Sequence, residues 1–401
     1  MTSLHWELID LAARWVHVIA AIMWVGNSLL FNWLDRTLAP PSRAGEGLQG
    51  ESWLLHSGGF YFVEKTQLAG QPLPRTLHWF KWQAYTTWLS GAVLLAAVYY
   101  AGGRAALADP AVATLTHGAA VAIGIGAIIL GVGIYEVTQR LVGPRAPVLA
   151  NVILIAAFIG VVYALTHLLS GRAAFLHVGA MLASIMAGNV AMTIVPSQRE
   201  LVRSVAGEGR ADPAISARAK RVSVNNNYLT FPVVALMVSA HFPSLYSHRS
   251  SWVLLLVIVA AGAAARHLMN VRFTTPSWQP ALAATVLAAA AGLYATIALG
   301  NRADGPAPMA GIASVVSFAD ARHVIDRRCA SCHSMEPSDV SFGVAPGGVA
   351  FDQPAQIHAH AARIHERAVV TRTMPPSNKT NMTERERLIL ARWIEQGARI
   401  P

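Results

Sequence analysis

Cys329 and Cys332 are the chain's two cysteines, and His333 follows the second directly. C-x-x-C-H is the attachment spacing of a c-type haem. Two thiols one helical turn apart add across the porphyrin vinyl groups, and the adjacent imidazole turns to the iron. A redox dithiol and half of a zinc site are the competing readings. The zinc reading lacks a second ligand pair, and the dithiol reading lacks a thioredoxin-like strand pattern. The sixth iron ligand is expected downstream. Met374 lies 41 residues after His333 in a loop stiffened by Pro375 and Pro376, and Met/His ligation raises a haem's potential. Met382 competes for that role, Met335 lies too close to His333, and His358, His360 and His365 offer a bis-histidine alternative.

A second set of polar residues stands inside apolar stretches, where each is expensive and therefore a functional candidate. His17, His117, His167, His177 and His241 favour one end of these stretches, and His267 sits at the other. They read either as interfacial histidines wetted by headgroups or as ligands of a b-type haem or metal held between helices. His17, nine or ten residues into the first stretch, is the deepest candidate for that second haem. The opposite end carries Asn27, Asn32, Asp35, Asn189, Thr193, Asn225–Asn227, Tyr228, Arg266, His267 and Asn270. Amides, a guanidinium and aromatic rings suit a planar, polar, anionic heterocycle. The alternative use of such amides is hydrogen bonding between helices. Glu136, at the same end, is a candidate base. Gly124, Gly126, Gly131 and Gly133 fit close helix packing better than phosphate binding.

The elements that must position these residues follow from composition. The chain has 401 residues, 54% hydrophobic and 13% charged. That shortage of charge excludes a disordered chain, a coiled coil and an ordinary soluble enzyme. Eight stretches approach the roughly 20 apolar residues that cross a bilayer. They run at about 8–34, 83–103, 114–136, 148–170, 174–196, 228–242, 252–270 and 279–300. The sixth is short and starts at Asn225–Asn227. The first has Glu7 and Asp10 in its first turn and no basic leader, so it reads as a retained helix. Loops after odd-numbered stretches hold 14 Lys/Arg, and those after even-numbered stretches hold 4. The positive-inside bias then puts the N-terminus and everything after residue 300 outside, and the 35–82 and 197–227 loops inside. The net charge of +10 is thus a topology signal, and nucleic-acid binding is not expected.

Domain organisation follows the same shift. Residues 1–300 read as an integral membrane domain, 301–313 as a flexible linker and 314–401 as a soluble domain. In the last, an amphipathic segment Ser317–Arg328 leads into the cysteines. Thr383-Glu384-Arg385-Glu386 is a capping box that opens a final helix to about Gly397. Helix, C-x-x-C-H, loop, M-P-P and helix resemble a class I cytochrome c over about 80 residues. The fold class expected is all-α, a polytopic helix bundle followed by this cytochrome. Haem c is attached outside the bacterial cytoplasmic membrane, the side to which the charge count assigns this domain. The aromatic-rich 35–82 loop reads as an ordered cap or interfacial hairpin.

The run Trp15-Val16-His17-Val18-Ile19-Ala20-Ala21-Ile22-Met23-Trp24-Val25-Gly26-Asn27, the segment His56-Ser57-Gly58-Gly59-Phe60-Tyr61, Leu77-His78-Trp79-Phe80-Lys81-Trp82 and Ala187-Gly188-Asn189-Val190 resemble the bacterial membrane-bound urate oxidase (urate hydroxylase) family. The resemblance covers essentially the whole chain. It implies oxidation of urate to 5-hydroxyisourate in purine breakdown, with electrons passed to a cytochrome rather than directly to oxygen. Partners implied are urate, membrane lipid and a soluble cytochrome or terminal oxidase as acceptor. The first stretch is also similar to other bacterial membrane families whose W-x-H histidine is linked to haem b, which adds to the case for His17. A different class of function is a non-catalytic membrane cytochrome relaying electrons from a partner dehydrogenase or quinol. It predicts no reduction by urate alone. A transporter with a fused cytochrome predicts substrate movement without redox change.

Overall fold

The structure is a computed structural model that describes the chain apart from residues 1–2, 44, 46, 67, 69–71, 102–106, 110–111, 208–212, 247, 304–314, 339–344 and 376–379. Helix α1 runs over Ser3–Thr37, α2 over Lys81–Leu95, α3 over His117–Leu141, α4 over Pro147–Leu168 and α5 over Gly171–Asn189. They are followed by α6 (Val195–Val205), α7 (Pro213–Ser239), α8 (Ser251–Val271) and α9 (Trp278–Ala303). Helix α2 ends in a π segment, Ala96–Tyr100, and a second π segment, Val190–Ile194, joins α5 to α6 as one rod.

All eight expected apolar stretches are helical. Six of the helical runs among the described residues are long and apolar enough to cross a membrane: α1, α3, α4, the α5–α6 rod, α8 and α9. The other two differ for physical reasons. Helix α2 is only 15 residues long before its π segment. Helix α7 starts at Pro213, not at Asn225, and its first half carries Arg218, Lys220, Arg221 and three asparagines. Most of the expected linker, from residue 304, lies outside the described residues.

Helix α5 is the centre of the bundle. Phe175, His177, Val178, Met181, Leu182 and Ile185 are buried on it, against α3, α4 and α7. Glycines on α3 permit this closeness: a Cβ at Gly124 would stand 2.5 Å from His177 Nε2. At Gly262, α8 comes equally close to α7, where a Cβ would lie 2.9 Å from the Pro232 nitrogen. Pro232 sits inside α7 and cannot donate to the Tyr228 carbonyl four residues back. On the outside, Ile129, Leu130, Val148, Ile155 and Leu287 are exposed, an apolar girdle that suits hydrocarbon rather than water.

The 35–82 connector folds into an antiparallel hairpin, β1 (Leu48–His56) and β2 (Gly59–Thr66), an exception to an all-helical chain. Ser57 and Gly58 both have positive φ, 51° and 75°, as a two-residue type I′ turn requires. Trp53 faces Phe62 and Leu55 faces Phe60 across the strands, on one exposed apolar face. Lys65 pairs with Asp35 at 2.6 Å, which ties the hairpin to the end of α1.

Residues after 315 build a separate core. Helix α10 (Phe318–Arg328) and helix α11 (Glu384–Glu395) pack together. Ile325, Ile357, Leu390 and Trp393 are buried between them and the intervening turns. Both helices open with capping boxes, Ser317 with Asp320 and Thr383 with Glu386, each leaving fewer orphan amides at the helix start.

Candidate functional site

Two sites emerge, one in each core. In the C-terminal core a cavity of about 500 Å³ is lined by Cys329, Cys332, His333, Val349, Phe351, Arg363, Arg367, Met374 and Pro375, among others. Helix α10 ends at Arg328, and the Cys329 and His333 amides close the next turn, the latter donating to the Cys329 carbonyl at 2.9 Å. This turn presents both thiols and the imidazole to one cavity. His333 Nδ1 donates to the Val349 carbonyl at 2.9 Å, so its Nε2 keeps a free lone pair for a metal. Neither cysteine is in a disulfide among the described residues. Burial, reinforced by Cys332, pushes the Cys329 thiol up to about 12, the reverse of the depressed value of a redox dithiol.

Met374 lines the same cavity and is held from two sides. Its amide donates to the Arg367 carbonyl at 2.9 Å, and its carbonyl accepts from Arg387 Nη1 at 3.0 Å. Arg387 also donates to the Ala368 carbonyl. It is 5% exposed. Burial holds its guanidinium below the ordinary value, Arg372 adds to that, and the carboxylates of Glu384 and Asp109 oppose it. Asp109 belongs to the segment between α2 and α3, at the end of the bundle where those two helices join. Of the competing ligands, Met382 is in the apolar core and Met335 is exposed. His358 is tied to the Ala398 carbonyl at 2.8 Å, His360 lines the cavity edge against Phe351, and His365 is partly exposed. Pro376 lies outside the described residues. Cavity, thiol pair, free imidazole nitrogen and thioether together fit a covalently attached haem.

In the bundle, histidines gather at that same end. His177 is fully buried; its Nδ1 donates to the Ala173 carbonyl at 2.7 Å and its Nε2 accepts from the Tyr100 hydroxyl at 3.1 Å. His117 bonds the Tyr100 carbonyl at 2.8 Å, and His167 the Tyr163 carbonyl at 2.7 Å. His241 is exposed. His17 Nδ1 donates to the Thr87 carbonyl at 2.9 Å, with Ser90 Oγ at 3.1 Å, and its ring packs against Gly91. A cavity of about 280 Å³ between α1 and α2 is lined by Trp15, Ile19, Met23, Trp82 and neighbours, and contains no imidazole. Among the described residues no three His, Cys, Asp or Glu side chains cluster as a metal site.

The other end of the bundle holds a buried amide network. Asn189 is fully buried and donates to the Tyr135 hydroxyl at 3.0 Å and to Asn226 Oδ1 at 2.8 Å. Asn225 also donates to Tyr135, at 2.9 Å, and Asn226 to the Met186 carbonyl at 2.9 Å. On the next face of α7, Asn227 Oδ1 accepts from Arg266 Nε at 3.1 Å and from Asn270 at 2.7 Å. Tyr228 and His267 pair alongside, at 2.8 Å. Among the described residues, Asn189 Oδ1, Thr193 Oγ1, Arg266 Nη2 and Asn270 Oδ1 have no partner. Native cores leave few such atoms, and each calls for an explanation such as a ligand.

Glu136 accepts from Arg140 and Arg218, each at 2.9 Å. The pair of guanidiniums, one from each helix, makes Glu136 a strut between α3 and α7. Asn27 and Asn32 lie half-buried on α1, with no hydrogen bond among the described residues. The structure therefore brings Asn189 into the network and leaves Asn27 and Asn32 apart. Tyr135 was not legible as a hub, because one tyrosine in an apolar run carries no signal of its partners. Arg387 was hidden inside a capping-box helix, where an arginine is unremarkable.

No curated protein and no solved structure matches the chain. The family model described as urate oxidase N-terminal matches residues 3–298, which include the whole helix bundle and its hairpin, and the chain belongs to that family.

Proposed function

We propose that the bundle oxidises urate and that the electrons leave through a haem c carried by residues 314–401, in the bacterial inner membrane with that haem on the periplasmic side. The observation that carries this reading is the Cys329–Cys332–His333–Met374 cavity joined in one chain to a urate oxidase family bundle. The balance is simple. The urate anion plus water gives 5-hydroxyisourate, one proton and two electrons. A haem held there would supply one-electron acceptance, with a soluble cytochrome or terminal oxidase as the onward acceptor. Cys329 and Cys332 would hold the group, the Val349 carbonyl orients His333, and Arg387 with Arg367 positions Met374. The amide network, closed in by α3, α5, α7 and α8, excludes bulk water and offers edges for a planar heterocycle. The charge bias of the loops supports entry from the cytoplasm, where urate arises.

The test is anaerobic. Oxidised protein in detergent receives urate, and the visible spectrum is followed. Reduction of the c-type band, lost in His333→Ala, is the expected result. A band reduced by dithionite but not by urate would leave the chain a relay for a partner donor.

A further inference from the structure

A buried cation without a counter-charge is a costly arrangement, and the bundle holds one. Arg266 is 2% exposed. Its Nε is anchored on Asn227, its plane lies over the Phe231 ring at 5.4 Å, and its Nη2 meets nothing. No acidic side chain pairs with it among the described residues. One turn along the same face of α8, Asn270 is anchored on the same Asn227 oxygen and leaves its own Oδ1 unpartnered. The close approach of Gly262 to Pro232 sets this spacing, because it brings α8 near enough for both side chains to reach α7. The result is a charged donor and a neutral acceptor, side by side, both held by a third residue. Unpaired charge inside a membrane costs several kcal/mol, so an arrangement of this kind is explained when an anion completes it.

We infer that Arg266 and Asn270 form the anchoring edge for the anionic substrate: Arg266 Nη2 donates to an oxo or deprotonated ring-nitrogen atom, and Asn270 Oδ1 accepts from a neighbouring ring N–H. This rests on the urate reading and deepens it. Urate, a planar monoanion at neutral pH with alternating C–O and N–H groups, offers that acceptor–donor edge. The Asn189 and Thr193 orphans, on the other side of α7, lack a charge and do not select for an anion.

Urate binding to dithionite-reduced protein, measured anaerobically by titration calorimetry, separates binding from turnover. Arg266→Gln should weaken it about a hundredfold, the usual loss when one partner of a buried charged pair is removed, and Arg266→Lys should keep part of it. Asn227→Asp guards against misfolding. It preserves the acceptor for Arg266 and Asn270 and supplies the missing negative charge inside the chain. It should melt no lower than wild type and bind urate at least about tenfold more weakly. If wild type binds urate and Asn227→Asp or folded Arg266→Gln binds equally well, the anchoring role is overturned while the urate reading stands. If reduced wild type binds no urate at all, the urate reading itself falls.

Discussion

Arg387 and Arg266 are both buried arginines on helices, and they are used in opposite ways. Arg387 spends its guanidinium on the carbonyls of Ala368 and Met374 and so serves the chain. Arg266 has one nitrogen anchored and another with no partner. The difference separates a polar group that builds a fold from one reserved for something outside it. The C-terminal core surrounds its apolar centre with a buried arginine that donates to carbonyls of the same core. The bundle is held by apolar packing, with its polar atoms left partly unfilled.

This contrast breaks most directly at the two arginines. Arg387→Met leaves the Ala368 and Met374 carbonyls without this donor and should cost about 2–4 kcal/mol, seen in denaturant melts followed by circular dichroism. Under the proposed ligation it should also weaken a sulfur-to-iron charge-transfer band, since Met374 loses one of its two holds. Arg266→Met in substrate-free protein removes an unpaired charge and should leave the melting temperature unchanged or higher. Equal destabilisation by both would end the distinction.

Packing should matter more than charge in the bundle. Gly124→Ala forces a Cβ to 2.5 Å from His177 Nε2, and overpacking of this kind costs about 1–3 kcal/mol. A detergent thermal melt checks it. Acid should act first on the C-terminal core. Burial raises the Glu386 carboxyl, but bonds from Thr383 and Arg328 outweigh it and hold it below its ordinary value. The folded form therefore binds its proton less readily than the unfolded form. The stabilisation is complete above the unfolded value of about 4.3 and is lost as pH falls through the folded one. Glu386→Gln should remove that slope and cost roughly 1 kcal/mol at neutral pH.

Much of this architecture is written in the sequence at short range. The eight helical stretches follow from apolar length, and the hairpin follows from two aromatic runs around Ser57-Gly58. The C-terminal caps follow from Ser317-x-x-Asp320 and Thr383-x-x-Glu386. What is not legible is long-range. Asn225–Asn227 look like the start of a helix, because asparagine favours caps and turns. In the structure they lie mid-helix, since Asn189 and Arg266 reach them from α5 and α8. Spacing along one helix says nothing of which helix faces it. The same limit hid Tyr135 and placed Asn27, an attractive amide by depth, away from the network.

The π segment Val190–Ile194 has a consequence for the chain's tolerance of change. A π turn holds one residue more than the α turn it replaces, so the rod carries a built-in insertion directly after Asn189. Deleting one residue there would turn the wide turn back into an α turn and leave Val195 and Ser197, now buried, close to their present phase. Deleting one residue from the regular turns on either side would instead rotate the remainder of the rod by about 100°. The irregularity is therefore the place where this rod tolerates the loss of one residue, which its regular turns do not.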